Sequence, residues 1–168
     1  MRAYSGVNIM ALSDTVFPLE FMEGRTQVML VTPELLSKAW PHMERLLRMA
    51  PTDWKARFSV EDVHARVADE QMQAWLINDA EGFIGLLLTQ IVYYPKMREL
   101  HLMLLVGVHM SWWLTHLTEV ERWARAHGAE ASFAIGRSGW ERALAPYGYS
   151  EKAVMVRKDL RGQELEDV

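Results

Sequence analysis

Hydrophobic and polar positions divide this chain into segments with two different periods. Apolar residues recur at helical spacing over residues 33–49, 60–69 and 111–126, so each of these segments is predicted to bury one helix face. Shorter apolar runs bounded by Gly, Pro and Asp are typical of strands. The predicted strands span residues 28–31, 72–78, 83–94, 99–106, 131–135 and 150–158. A further short helix is predicted over residues 139–144.

Polar residues beside these segments predict where the helices begin and how they continue. Thr32, followed by a proline, is typical of a helix start, and Pro41 is expected to bend or split the helix that follows. Ser59 and the acid three residues later, Asp62, indicate a capping box at the second helix. Ser111 is expected to cap the third long helix.

Two neighbouring segments, residues 83–94 and 99–106, are apolar on both faces, as in central strands that are covered on both sides. Alternation in the second segment predicts one face with Leu100, Leu102, Leu104 and Val106 and an opposite face with His101, Met103 and Leu105. Strands followed by crossover helices predict a mixed α/β fold, with a central sheet of about six strands and helices on both faces.

The chain is expected to form one domain with an extension at each end. Residues 26–160 hold all the predicted elements and are long enough for a real core. Residues 1–25 show no sustained period and are predicted to form an N-terminal arm, although Phe17 and Phe21 make it too apolar for a purely solvated tail. The arm either packs on its own domain or docks on a partner. Residues 161–168 are predicted to be an acidic C-terminal tail.

Composition and charge exclude several classes of function. The chain has 168 residues and a net charge of -4, with Lys and Arg spread among acids, so no nucleic-acid interface is indicated. It has no cysteine, which excludes disulfides, thiolate nucleophiles and Cys-based metal sites. His116 and Glu119 stand three apart, but two residues do not make a metal site. No apolar run resembles a signal peptide or a membrane span, so we expect a soluble, cytoplasmic protein.

The C-terminal part carries a more specific pattern. Its residues Gly136, Arg137, Gly139, Trp140, Arg142 and Leu144 are followed by Gly148, Tyr149 and a valine-rich segment that ends at Leu160. Together with the element order, this pattern resembles the GNAT superfamily of N-acetyltransferases over residues 28–160. The resemblance implies a mostly antiparallel sheet and acetyl-CoA as cofactor. More narrowly, the pattern is similar to small GNAT-like proteins of tailed bacteriophages, which implies a virion or host-takeover protein located in the host cytoplasm or the virion.

The resemblance implies that acetyl-CoA binds where the chain leaves one central strand and enters the next helix. The residues expected to line that site are Gly107, Val108, His109, Met110, Ser111 and Trp112. A helix N-terminus suits a diphosphate. The family builds this turn from an Arg or Gln and closely spaced glycines, whereas this chain has a single glycine and the indoles of Trp112 and Trp113. We therefore expect a degraded or repurposed loop.

The catalytic residues of the family are only partly matched. The tyrosine that protonates the leaving thiolate would fall at Leu144, so Tyr147 is the nearest candidate for a general acid. The candidates for the base that deprotonates the amine are Glu99, His101 and Glu81. A histidine on an apolar strand is also typical of a hydrogen-bonded core residue, and for His101 this alternative is the stronger one.

Two functions from different classes follow. The favoured one, because of the altered loop and Leu144, is a non-catalytic binding or assembly module with a protein partner, such as a phage structural protein. Its partner-binding residues are expected to be Phe17, Phe21, Trp112 and Trp113. The alternative is an acetyl-CoA-dependent N-acetyltransferase that acts on a small amine or a protein amine. A third interpretation is a regulator that binds a CoA-type ligand without turnover.

Overall fold

A computed structural model describes residues 25–136, 139–153 and 155–161, together with the backbone but not the side chains of Trp112 and Trp113. The chain divides into two compact units, Met1–Ile135 and Gly136–Val168. Phe17 and Phe21 of the predicted arm lie outside the described residues, so their expected role stays a prediction.

The first unit contains a sheet with helices in its connections. Its elements are β1 (Gln27–Val31), α1 (Leu36–Leu47), α2 (Thr52–Lys55), α3 (Val60–Ala68), β2 (Gln73–Asn78), β3 (Phe83–Tyr93), β4 (Arg98–Gly107), α4 (Met110–Trp113), α5 (Leu117–Ala126) and β5 (Ala131–Ala134). None of the helices in the described parts of the chain is long and apolar enough to cross a membrane.

The sheet has five strands in the order β1-β2-β3-β4-β5. Neighbouring strands are antiparallel except for β4 and β5, which are parallel. The predicted mixed and mostly antiparallel α/β fold is therefore confirmed. The expected sixth strand is absent from the described residues of 150–158. Apolar side chains there stay exposed, at 59% for Met155 and 89% for Val156, so no sheet face buries them.

A β-bulge in β4 corrects the prediction about its two faces. Leu88 pairs with Leu104 but Thr89 pairs with Leu102, so Met103 is an extra residue on β4. A bulge of this kind reverses the alternation of side chains beyond it. Leu104 therefore faces the core under α1 and α3, whereas Leu102 is buried outside that core, on the face of Thr89.

That second face is covered by α5. The indole of Trp75 on β2 donates a hydrogen bond to the Thr89 hydroxyl over 3.0 Å, so these two side chains share a face. Trp123 of α5 meets Trp75 edge-on, with ring centroids 5.3 Å apart. Both faces of the sheet are thus buried by helices, as apolar residues on both faces of β3 require.

The first two long helices begin differently from each other. Ser59 and Asp62 form the predicted capping box at the start of α3, and these bonds hold the pKa of the Asp62 carboxyl below its usual range. By contrast, Thr32 does not cap α1, because its carbonyl accepts from Leu35 in a separate turn and the helix starts at Leu36. Pro41 lies inside α1 without splitting it, since it is exposed and the helix turn there is open to water.

The third long helix is interrupted, contrary to the prediction. The segment α4 is followed by a 3-10 turn, Leu114–His116, before α5 begins. The 3-10 turn keeps Leu114 and Leu117, both buried, three residues apart on one side. Ser111 is not the cap of α4, because the residue before its first turn is His109, whose backbone is left-handed with φ 52°.

The second unit is small. It contains α6 (Trp140–Leu144) and a 3-10 turn, Ala145–Tyr147, that ends at Gly148 with φ 87°. The Tyr149 amide donates back to the Leu144 carbonyl over 3.4 Å, which closes the turn. The closing Gly-aromatic pair seen in the sequence is therefore a left-handed turn after a short helix.

Candidate functional site

The strands β4 and β5 run side by side over only part of their length. Glu99 pairs with Ala131 and Leu102 pairs with Ala134, where β5 ends. The longer strand continues to Gly107, and over residues 103–107 no described strand lies on that side of it. The bulge at Met103 falls at this point of separation. One edge of β4 therefore presents backbone N–H and C=O groups that no strand pairs.

Two of the predicted catalytic residues lie together just before the separation. The Glu99 carboxylate contacts Nε2 of His101 at 3.1 Å, with 22% and 19% of the respective side chains exposed. The ring of Phe133 on β5 lies against the imidazole, with centroids 4.9 Å apart. His101 is thus hydrogen-bonded, as a core histidine would be, but it is partly open to solvent.

The contact with Glu99 determines which nitrogen of His101 is basic. An ionised carboxylate only accepts hydrogen bonds, so Nε2 carries the proton and Nδ1 carries the lone pair. No residue in the described parts of the chain hydrogen-bonds to Nδ1. This arrangement leaves a basic nitrogen available and holds its ring by a carboxylate, which are the requirements for a general base.

A groove of about 580 Å³ lies at the end of the sheet where β3 finishes. It is lined partly by Gln90, which is the direct cross-strand partner of His101. Glu70, Gln73 and Trp123 also line it. Among the described residues, its lining includes no Lys or Arg. The groove therefore reaches the strand beside the histidine and favours a neutral or cationic occupant.

In the predicted cofactor loop, the glycine has a structural role that differs from phosphate binding. Gly107 has φ 144°, and a side chain there would overlap the carbonyl oxygen of Ile84. The Val108 amide donates to the same oxygen over 2.9 Å. The glycine thus lets β4 finish against β3, and this role does not by itself make room for a phosphate. Val108 and His109 are exposed, while the side chains of Trp112 and Trp113 lie outside the described residues.

The candidate base Glu81 is not assembled with His101. Glu81 lies in the turn between β2 and β3, where its amide donates to Asp79, at the opposite end of β3 from Gln90. Tyr147 belongs to the second unit, so its role as a general acid stays a prediction. Within the described ranges, no group of three metal-ligating side chains comes together.

Sequence reasoning missed the neighbours of His101. Gln90 and Phe133 stand on strands that were predicted, yet only the register shows that both lie opposite this histidine. The only signal in the sequence was their position within apolar strands.

Solved structures with a similar backbone are acetyltransferases. An aminoglycoside acetyltransferase from an uncultured soil metagenomic sample, in complex with sisomicin, is 15% identical with a TM-score of 0.57, over 81% of this chain and 97% of that one. A predicted acetyltransferase from Clostridium acetobutylicum, with acetyl-CoA, is 10% identical with a TM-score of 0.60, over 81% and 97%. Glucosamine-6-phosphate N-acetyltransferase from Arabidopsis thaliana is 11% identical with a TM-score of 0.59, over 81% and 99%.

No protein-family model and no curated protein matches the sequence. Identities of this size carry information about the backbone and not about the substrate. The agreement nevertheless extends over nearly the whole length of each acetyltransferase. The chain therefore has the GNAT-type acetyltransferase fold.

Proposed function

We propose that the protein is an acetyl-CoA-dependent N-acetyltransferase that acts on a small or protein amine, with His101 as its base. One observation carries the proposal: the Glu99–His101 pair lies where β5 ends beside β4, with Nδ1 available. Acyl transfer to an amine requires a base within hydrogen-bond reach of the amine proton. This observation supports the alternative drawn from the sequence over the non-catalytic module.

The residues present fit the amide-containing arm of acetyl-CoA better than its diphosphate. The open edge of β4, residues 103–107, would hold the amide-containing arm, because unpaired strand edges bind extended groups through backbone hydrogen bonds. The diphosphate end would meet Val108 and His109, at a loop with one glycine and a helix of four residues. When bound, acetyl-CoA supplies the acetyl group as an activated thioester. We therefore expect binding that is weaker than a glycine-rich loop would give.

Within the proposed site, the protein's own residues take up the proton of the amine. Alkyl amines are protonated at neutral pH and must lose that proton before they attack a carbonyl. Nδ1 of His101 accepts the proton, directly or through one water. Glu99 holds the ring in the correct tautomer and stabilises the imidazolium that forms, so Glu99 is a positioning residue. The Phe133 ring packs against the imidazole and restricts its rotation.

The groove beside Gln90 is the proposed site of the acceptor. Its volume of about 580 Å³ is in the range for small-molecule sites. The Glu70 carboxylate attracts a cationic amine, and the amides of Gln73 and Gln90 offer both donors and acceptors. A polar amine is therefore a better match than a fatty or an anionic acceptor.

The second proton transfer, to the leaving thiolate, has less support among the residues of the chain. Leu144 has no proton to give, and Tyr147 is the candidate that remains for protonation of the thiolate. Loss of one positioned acid typically costs about 10²–10⁴-fold in rate. We therefore expect a slow enzyme.

Calorimetric titration with acetyl-CoA tests the proposal, followed by an assay of thiol release with a panel of amines. We expect micromolar binding and amine-dependent release of thiol. The chain has no cysteine, so a thiol reagent reports only the product. Absence of binding at millimolar acetyl-CoA would overturn the proposal.

A binding module without turnover is the second candidate, favoured by the loop after Gly107 and by Leu144. In this case, deletion of residues 1–25 should leave the domain folded and abolish association with a protein partner. Association that survives the deletion would remove the arm from the hypothesis. The partner-binding role of Trp112 and Trp113 and the association with a phage virion stay predictions.

A further inference from the structure

A second histidine, remote from His101, is held between a hydroxyl and a carboxylate. Nε2 of His116 lies 2.9 Å from Oγ1 of Thr26, a residue 90 positions earlier in the chain. Its Nδ1 lies 2.9 Å from the Glu119 carboxylate. We propose that Thr26, His116 and Glu119 form a second reactive centre, in which the Thr26 hydroxyl takes an acyl group from a small acyl thioester.

The two contacts fix the direction of the hydrogen bonds. Glu119 only accepts, so Nδ1 carries the proton and Nε2 carries the lone pair. The Thr26 hydroxyl must then donate to Nε2. A hydroxyl that donates to an imidazole, which in turn donates to a carboxylate, is the arrangement that activates a weak nucleophile. The same orientation recurs on unrelated folds and is recognised by its geometry.

Local structure explains why these residues meet. Thr26 directly precedes β1, and His116 ends the 3-10 turn that leads into α5. Glu119 is three residues further on, at the spacing of neighbours on one helix face. The side chains of His116 and Glu119 are 15% and 31% exposed, and Thr26 is partly exposed, so this centre is partly open to solvent. The strands β2 and β3 separate β1 from β4, so this centre is distinct from His101.

The proposed step is balanced in atoms and electrons. Oγ1 of Thr26 forms a bond to the acyl carbon, and the bond from that carbon to sulfur breaks. The hydroxyl proton passes to Nε2 of His116 and then to the departing thiolate. The products are O-acylthreonine at position 26 and a free thiol. Glu119 acts through His116 and is a positioning residue, whereas Thr26 and His116 take part in the step.

Mass spectrometry of the full-length protein after incubation with S-acetyl-N-acetylcysteamine tests the proposal. This thioester lacks the nucleotide of acetyl-CoA, so the result does not depend on the cofactor site of the proposed acetyltransferase. We expect one acetyl group, located on Thr26 by fragmentation and removed by hydroxylamine, as an ester would be. Thr26→Ser should retain the adduct, and Thr26→Ala and His116→Gln should lose it. Thr115→Ala, at an exposed neighbouring position, should behave as the wild type.

A positioning role for Glu119 has its own measurement. Glu119→Gln should slow adduct formation at least about tenfold while the melting temperature remains within a few degrees, because the neutral amide no longer stabilises the imidazolium. The proposal is overturned if the wild-type protein forms no adduct on Thr26. It is equally overturned if the adduct persists in Thr26→Ala, or in a folded His116→Gln protein.

Discussion

The Glu99–His101 and His116–Glu119 pairs contain the same two side chains at similar distances, 3.1 and 2.9 Å, with similar burial, but the carboxylate holds a different nitrogen in each. On the strand, Glu99 contacts Nε2 and leaves Nδ1. On the helix, Glu119 contacts Nδ1 and leaves Nε2. Nε2 is the ring nitrogen farther from the backbone. His116 therefore reaches Thr26, just before β1, whereas the remaining nitrogen of His101 stays beside its own strand.

This difference separates two chemical roles for the same pair. A base for an incoming amine needs a nitrogen that no protein group occupies, and among the described residues His101 has one. A base that activates a protein hydroxyl needs that hydroxyl already in place, and His116 has it. In the two proposals, the third contact, which differs between the two histidines, therefore distinguishes the role of each pair.

The largest expected effect is the loss of amine acetylation when His101 is replaced. His101→Gln should lower kcat/KM by about 10²–10⁴-fold, because the amide cannot accept the proton of the amine. Glu99→Gln keeps an acceptor for Nε2 but removes the charge, so kcat should fall by about tenfold with KM unchanged. Release of thiol with a fixed amine measures both.

The matched control is His64→Gln, at an exposed position of α3, which should leave both constants unchanged. If His101→Gln retained more than half of the wild-type rate, the base would have to be another group, and the comparison between the two histidines would lose its meaning.

Much of the fold could be predicted because its determinants are local. The apolar runs of β3 and β4 and the capping box of Ser59 and Asp62 are set by residues within a few positions of one another. The mixed, mostly antiparallel sheet followed from their order and from the family resemblance. Helix starts were harder to predict, because Thr32 belongs to a separate turn before α1 and Ser111 lies inside α4 and not before it.

The site was less predictable because its geometry depends on register. The bulge at Met103 is one inserted residue in an apolar strand, and it reassigns the faces of Leu100 and Leu102 without any visible signal in the sequence. Likewise, the sequence shows the spacing of His116 and Glu119, but Thr26, the third member of this cluster, lies 90 positions away from His116. Contacts between distant segments are created by folding and not by local pattern.

A smaller effect is expected on stability, and it should distinguish the two regions again. Thr26→Ala should lower the free energy of unfolding by about 0.5–1.5 kcal/mol, because the lost hydrogen bond joins the start of β1 to the start of α5. Glu99→Gln should change it by less than about 0.5 kcal/mol, because Glu99 and His101 lie on one strand and join no separate elements. Urea titrations of both variants measure the difference. Equal losses would contradict the assignment of a long-range contact to only one pair.

The smallest effect concerns a third histidine, His42, which has no carboxylate partner among the described residues and lies against the Phe83 ring with centroids 4.6 Å apart. Burial, and secondarily the charge of Arg45, lower the pKa of His42 below its ordinary value of 6.5. The unfolded chain then binds this proton at a higher pH than the folded chain. The contribution of His42 to the free energy of unfolding is full above pH 6.5 and is lost as the pH falls through the lowered pKa.

In urea titrations from about pH 7 to about pH 5, His42→Gln should flatten the decline of the free energy of unfolding. Added salt should reduce only the part of the decline that is due to Arg45. An unchanged slope in the variant would mean that this histidine does not contribute to acid sensitivity.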